Sequence, residues 1–155
     1  MRLREATADD VPRLVELWYD LATEMERYAD LNGLVYESST DVPEDPFRAH
    51  LDSDGVTEYL VEVDGEAVGF ATTRLGEHPS REYSKYTRLV NLYVEDGHRG
   101  RGYGSAVVDE VRRRARESGC DHLKVSCEWD NRGARSFYED AGFEEKQVEF
   151  AQKLD

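Results

Sequence analysis

Residues 92–105 read Leu-Tyr-Val-Glu-Asp-Gly-His-Arg-Gly-Arg-Gly-Tyr-Gly-Ser. An alternating apolar run ends at Val94. Glycines follow at positions 97, 100, 102 and 104, and a helical pattern starts at Tyr103. Closely spaced glycines let a backbone turn tightly and bring several N–H groups to one point. A helix N-terminus adds unpaired donors and the positive end of the helix dipole. With the guanidinium groups of Arg99 and Arg101, this pattern predicts a cradle for an anion such as phosphate. The nucleotide loop GxxxxGK[ST] is absent. The dinucleotide fingerprint GxGxxG also fails: counted from Gly100 the third glycine falls on Ser105, and counted from Gly102 it falls on Val107. The spacing that does stand here is Arg99-x-x-Gly102-x-Gly104.

The flanking segments must hold that loop in place. Arg2–Ala6 alternates polar and apolar residues and reads as a short first strand. Thr7–Asp10 supplies helix-capping residues. Val11, Leu14, Val15, Trp18, Leu21, Ala22 and Met25 recur at helical spacing, so a helix is expected from about Asp9 to Tyr28. Asp30–Pro46 reads as a loop, and Phe47–Leu51 as a short helix. Glu58–Val63 and Ala67–Thr73 are strands joined by the hairpin signal Asp64-Gly65. After a polar connection from Gly76 to Tyr83, Thr87–Val94 is a fourth strand that feeds the glycine loop. Ala106, Val107, Val108, Val111 and Ala115 mark a third helix, with Gly119 as its C′ residue. His122–Cys127 is a fifth strand. Asn131 opens a fourth helix that Gly142 stops, and Phe143–Phe150 is expected as a last strand. This order describes one α/β domain over residues 1–155 with a mixed sheet.

Charge narrows the function. The 155 residues hold 20 Lys and Arg against 34 Asp and Glu, a net charge of −14. Such a surface repels nucleic-acid phosphate, so no nucleic-acid partner is expected. Only Lys85, Lys124, Lys146 and Lys153 are lysines. Many carboxylates with few lysines match the composition of proteins from salt-loving organisms, in which salt screens self-repulsion. No apolar run approaches a membrane span, and Met1–Glu5 carries no apolar leader pattern; a cytoplasmic location without membrane contact is the expectation. Cys120 and Cys127 form neither a disulfide framework nor a zinc motif.

The spacing Arg99-x-x-Gly102-x-Gly104 resembles the acyl-CoA loop of the GNAT superfamily of N-acetyltransferases. The likeness extends over nearly the whole chain. The hairpin Tyr59–Phe70 resembles that family's strand-Asp-Gly-strand unit. Leu92-Tyr93-Val94 resembles the strand end before its loop. Asn131-x-x-Ala134-x-x-x-Tyr138-x-x-x-Gly142-Phe143 closely matches its C-terminal block. The resemblance implies a GNAT-like α/β domain whose mostly antiparallel sheet of about six strands is flanked by about four helices. Its fourth and fifth strands splay apart to admit acetyl-CoA as co-substrate. Carried over by position, Leu92, Tyr93 and Val94 present strand backbone to the pantetheine arm. Arg99, Gly100, Arg101, Gly102, Tyr103, Gly104 and Ser105 hold the pyrophosphate, and Asn131 bonds the pantetheine side. Tyr138 protonates the departing thiolate. The implied activity is acetyl transfer to a primary amine of a small molecule or peptide by direct attack. The alternative is a catalytically silent acyl-CoA sensor of the same fold. A homodimer is compatible with either.

No general base is assigned. Ser126 stands where members that acetylate ribosomal-protein N-termini carry a glutamate, and Asn91 where others have an acid on the fourth strand. Glu24, Glu26, Glu82 and Glu128 are open alternatives. His50, His78, His98 and His122 lack metal-ligand spacing, and His98 reads as a surface-loop residue. Arg112-Arg113-Arg114 reads as a solvated helix face paired with Asp109, Glu110 and Glu117. The carboxylate excess has a measurable consequence. The melting temperature is expected to rise markedly between dilute and molar potassium chloride, read by circular dichroism; a flat or falling curve contradicts salt adaptation.

Overall fold

The hairpin of two apolar strands around Asp64-Gly65 forms as its sequence demands. A computed structural model describes residues Met1–Asp155. It pairs β2 (Val56–Val63) antiparallel with β3 (Glu66–Glu77), and both turn residues take positive φ, 53° at Asp64 and 79° at Gly65. That is the mirror-image turn whose twist suits a two-residue hairpin. β1 (Arg2–Glu5) pairs with β2, and β4 (Lys85–Val94) pairs with β3, all antiparallel. β5 (His122–Val125) joins β4 in parallel, giving one sheet of order β1-β2-β3-β4-β5.

Helices cover both faces. α1 (Val11–Met25) buries Val11, Leu14, Val15 and Leu17, and single 3-10 turns extend it at both ends. Its start is fixed by a capping box in which the Thr7 N–H donates to Asp10 Oδ2 at 2.8 Å. With α2 (Asp45–Leu51), α1 packs on the face that carries Leu60, Phe70 and Tyr93. α3 (Tyr103–Glu117) packs on the opposite face against Tyr59, Val61, Val68, Ala71 and Leu89, and α4 (Arg132–Asp140) adds Phe137, Tyr138 and Ala141 there. Phe70, Leu14, Leu17 and Leu60 are fully buried. At about 1.5–3 kcal/mol for each buried side chain, these contacts outweigh the surface ion pairs at about 0–1 kcal/mol apiece.

The expected sixth strand does not form, which corrects the strand count to five. Phe143 packs on the core, but residues 144–155 make no backbone hydrogen bond and Val148, Phe150 and Leu154 are exposed. Ion pairs Arg135–Glu145 (2.9 Å) and Lys153–Asp30 (3.2 Å) tether the segment instead. Alternation of Val148 and Phe150 defines a face but not a partner. Phe143, Phe137 and Leu123 pack together on the α3 face, while the outer edge of β5 stays without a ladder partner. β5 is likewise shorter than expected, ending at Val125 rather than Cys127. No helix is long and apolar enough to cross a membrane.

Candidate functional site

β4 and β5 are paired only from Tyr86↔His122 to Leu89↔Val125. β4 continues to Val94 without a β5 partner, so Val90–Val94 present an open edge. The parting coincides with a bulge. On the β3 side, Thr72 pairs with Asn91 and Thr73 with Leu89, leaving Val90 as the extra residue. A bulge bends its strand and ends regular pairing, and here it does so where the sheet opens. Leu92, Tyr93 and Val94, the residues expected along the pantetheine arm, all lie on the open stretch.

The loop follows directly. A 3-10 turn at Asp96–His98 leads to Gly100 (φ 78°) and Gly102 (φ 83°), the latter capping α3. A Cβ at either glycine would meet no neighbour within 4 Å, so conformation rather than crowding demands glycine there. Gly104 differs: a Cβ would lie 3.2 Å from Phe137 Cζ, so this glycine lets α3 and α4 approach. The six N–H groups from Gly100 to Ser105 find no acceptor in the chain. All of these residues but Arg101 line a cavity of about 450 Å³, with Val94, His98, Arg99 and Phe137. His98 Nδ1, expected on the surface, is buried in that region without a hydrogen-bond partner. Buried polar groups without partners are rare, which sets this atom apart among the cavity's lining.

Arg99 does not aim its charge at the loop. Its Nε donates to the Val94 carbonyl at 2.7 Å, and its Nη2 donates to both Glu24 carboxylate oxygens at 2.9 and 3.0 Å. Its guanidinium also lies 5.3 Å from the Tyr93 ring centre. Arg99 therefore clamps the loop to α1, and Arg101 is left as the unpaired cation beside the glycines. Burial, then the charges of Asp20 and Glu24, push the Tyr93 hydroxyl up to about 12. Asp20 is raised by burial and by Glu95.

Tyr138 sits between Phe137 and Phe143, at ring-centre distances of 5.1 and 5.6 Å. Its hydroxyl bonds to nothing in the chain and is not among the sealed, unpartnered atoms, so it opens to solvent. Burial, with a smaller contribution from neighbouring Cys127, pushes it up to about 12. It therefore stays protonated at neutral pH and can donate. Asn131 caps α4, its Oδ1 accepting from the Ala134 N–H at 3.1 Å. That leaves its Nδ2 for a ligand.

Three of the four candidate bases are engaged elsewhere, and Glu82 is exposed on the β3–β4 connection. Glu24 holds Arg99, Glu26 accepts from the Leu34 N–H at 3.1 Å, and Glu128 accepts from Asn32 Nδ2 at 3.0 Å. The sequence did not single out Glu58, which is buried on β2. His50 Nδ1 lies 2.8 Å from its Oε1, and the Thr72 hydroxyl donates to its Oε2 at 2.7 Å. Burial raises its pKa. Because Thr72 spends its proton on Glu58, it can only accept from Asn91, whose Nδ2 donates at 3.1 Å. This leaves the Asn91 side-chain oxygen without a hydrogen bond in the chain, one residue beyond the bulge where the strands part. The one signal for Glu58 in the sequence was a charged residue in line with Leu60 on a strand apolar on both faces.

Comparisons with known proteins place the chain in a family. The family model described as Acetyltransferase (GNAT) family matches residues 15–143. An uncharacterised N-acetyltransferase of Methanocaldococcus jannaschii is 25% identical over 146 residues; the match covers 94% of this chain but only 62% of that relative. An aminoglycoside N(6')-acetyltransferase of Stenotrophomonas maltophilia is 28% identical, covering 77% of this chain and 80% of the relative. A tetramutant of a Bacillus halodurans protein superimposes with a TM-score of 0.87 at 18% identity, covering 99% of this chain and all of the other.

Gly102→Val places a β-branched residue at φ 83° without touching the core. It is expected to weaken acetyl-CoA binding at least about tenfold, or about 1.4 kcal/mol, with the fold retained. Calorimetry on a folded variant with unchanged affinity refutes the loop as the phosphate cradle.

Proposed function

We propose that this chain, which belongs to the GNAT family of acetyltransferases, transfers the acetyl group of acetyl-CoA to a primary amine of a small molecule or peptide by direct attack. One observation carries the reading. Six unpaired N–H groups stand at a helix start, and all of their residues but Arg101 line a cavity at the mouth of two parted strands. An elongated ligand with phosphates at one end and amides along its length fits such a surface. N–H groups of Gly100–Ser105 take the phosphate oxygens, each charge-assisted bond contributing about 1.5–3 kcal/mol. The open edge of Leu92–Val94 pairs with the amides as a further strand would. Asn131 Nδ2 adds a donor from α4. Bound acetyl-CoA supplies the activated acetyl thioester.

The chain's own residues do the rest. A backbone N–H on the open edge near Leu92 polarises the thioester carbonyl as negative charge gathers on its oxygen. The amine attacks as the free base, its ammonium proton having passed to solvent, and the Asn91 side-chain oxygen accepts one of its N–H groups and holds the nitrogen beside that carbon. The proton the nitrogen sheds as the C–N bond forms and the C–S bond breaks returns through solvent to Tyr138. Tyr138 gives its proton to the departing sulfur, whose thiol has an ordinary pKa near ~8.5 and needs only modest help. The name of the Stenotrophomonas relative supports small-molecule amines as acceptors. A panel of amines, read by thiol release from acetyl-CoA, tests the reading; release with none of them while acetyl-CoA binds contradicts it.

Tyr138→Phe keeps the ring between Phe137 and Phe143 and removes only the donor. It is expected to lower kcat by roughly 10- to 1,000-fold with the Michaelis constant for acetyl-CoA within a few-fold. The loss is expected to shrink for acyl donors with a more acidic thiol. Parental turnover by the folded variant removes Tyr138 as the proton donor.

A further inference from the structure

The sheet face beneath the open strands is cationic in an acidic protein. Register places Arg74, Arg88 and Lys124 in one row across β3, β4 and β5, and Gly76, Tyr86 and His122 in the next. Alternation puts both rows on the same face as Phe70, Thr72, Asn91 and Tyr93, the face that α1 covers farther along. Side chains of the β3–β4 connection reach the second row, where His78 stacks on Tyr86 at 5.1 Å and Tyr83 meets His122 edge-on at 6.5 Å; in the first row Arg74 is exposed and Arg88 and Lys124 are half-buried. The Tyr86 ring lies flat on Gly76, where a Cβ would stand 2.3 Å from its Cζ. Lys124 Nζ sits 4.3 Å from the centre of that ring and donates to His78 Nε2 at 2.6 Å.

The first row gathers three cations without carboxylate partners in adjacent strands. Arg4, Arg13, Arg99, Arg113 and Arg114 all hold carboxylates. Arg74, Arg88 and Lys124 hold none, although Asp and Glu outnumber Lys and Arg by 34 to 20. Arg88 bonds only the Ser126 hydroxyl, at 3.1 Å. In the second row His122 Nδ1 lies 2.5 Å from Asp121 Oδ1, so the cations without a carboxylate are those of the first row. Burial, Arg88 and Lys146 lower the Lys124 pKa, and burial, Lys124 and His122 lower that of His78. Arg88 lies one residue from Leu89, where β4 and β5 part, and three residues along the strand from Asn91. Three strand residues span about 10 Å.

We propose that this face binds a carboxylate of the acceptor. On the reading of the chain as an N-acetyltransferase, the substrate is a flexible amino acid whose reacting amine meets Asn91 and whose carboxylate reaches Arg88 and Lys124 several bonds away. A polycationic amine is disfavoured by the same face. An α-amine next to its carboxylate is too short to bridge the two points.

Three C6 amines separate these cases: 6-aminohexanoate, hexylamine and 1,6-diaminohexane share an amine and differ in the far group. The expected kcat/KM for 6-aminohexanoate exceeds both others at least about tenfold. Arg88→Gln and Lys124→Gln each shrink that ratio by raising KM for 6-aminohexanoate, with the melting curve preserved. Glutarate, which cannot be acetylated, is expected to shift the backbone amide resonances of Arg88 and Lys124, more weakly in Lys124→Gln. A preference for 1,6-diaminohexane, a ratio that survives both substitutions, or a dimer in sedimentation whose Arg88 and Lys124 resonances ignore glutarate overturns the proposal. If no amine is acetylated but glutarate binds at Arg88, the transferase reading fails and the anion site stands.

Discussion

The site depends on the point where β4 stops pairing with β5. Leu89 and Val125 are the last partners, and the extra residue Val90 bends β4 immediately beyond them. Unpaired strand edges invite association with other chains, so natural sheets shorten, cover or twist them. This sheet keeps such an edge open over Val90–Val94 and continues it directly into a loop with free N–H groups. The two unsatisfied surfaces are contiguous, and a single long ligand can satisfy both. α3 and α4 hold the arrangement from one face through Gly104 under Phe137, and α1 holds it from the other through Arg99 and Glu24.

Charge is distributed to match. Many cations are held in ion pairs, within a helix as in the Glu110 bonds with Arg113 and Arg114, or between elements as in the Arg99 bond with Glu24. Among the cations without a carboxylate partner, Arg101 stands beside the glycine loop, and Arg88 and Lys124 stand on the open sheet face. In a chain of net charge −14 those places are where an anion experiences a local attraction against a repulsive background. The long-range field repels phosphate and the local geometry receives it, so binding is expected to depend on short contacts more than on steering.

Much of this was legible in the residues. The Asp64-Gly65 hairpin, the stripe of α1 and the stops at Gly119 and Gly142 follow from turn chemistry and periodicity, which act locally. The glycine loop was legible because positive φ at Gly100 and Gly102 is a local demand. Side-chain destinations were not. Arg99 was expected to face phosphate, but Glu24, 75 residues away in sequence, captures it. Glu58 and its bonds to Thr72 and His50 join β2, β3 and α2, and no spacing rule reaches across three elements. The last strand failed for the same reason: alternation at Val148 and Phe150 is local, whereas a ladder partner is a tertiary fact.

The central claim is that the open edge of β4 and the glycine loop form one surface for acetyl-CoA. Amide hydrogen exchange with and without acetyl-CoA tests it most directly, because the free N–H groups are the reporters. Saturating acetyl-CoA is expected to slow exchange at Gly100–Ser105 and along Val90–Val94 together, with little change in β1 or α2. Protection confined to the loop, or appearing elsewhere on the sheet while Val90–Val94 exchange freely, contradicts the account.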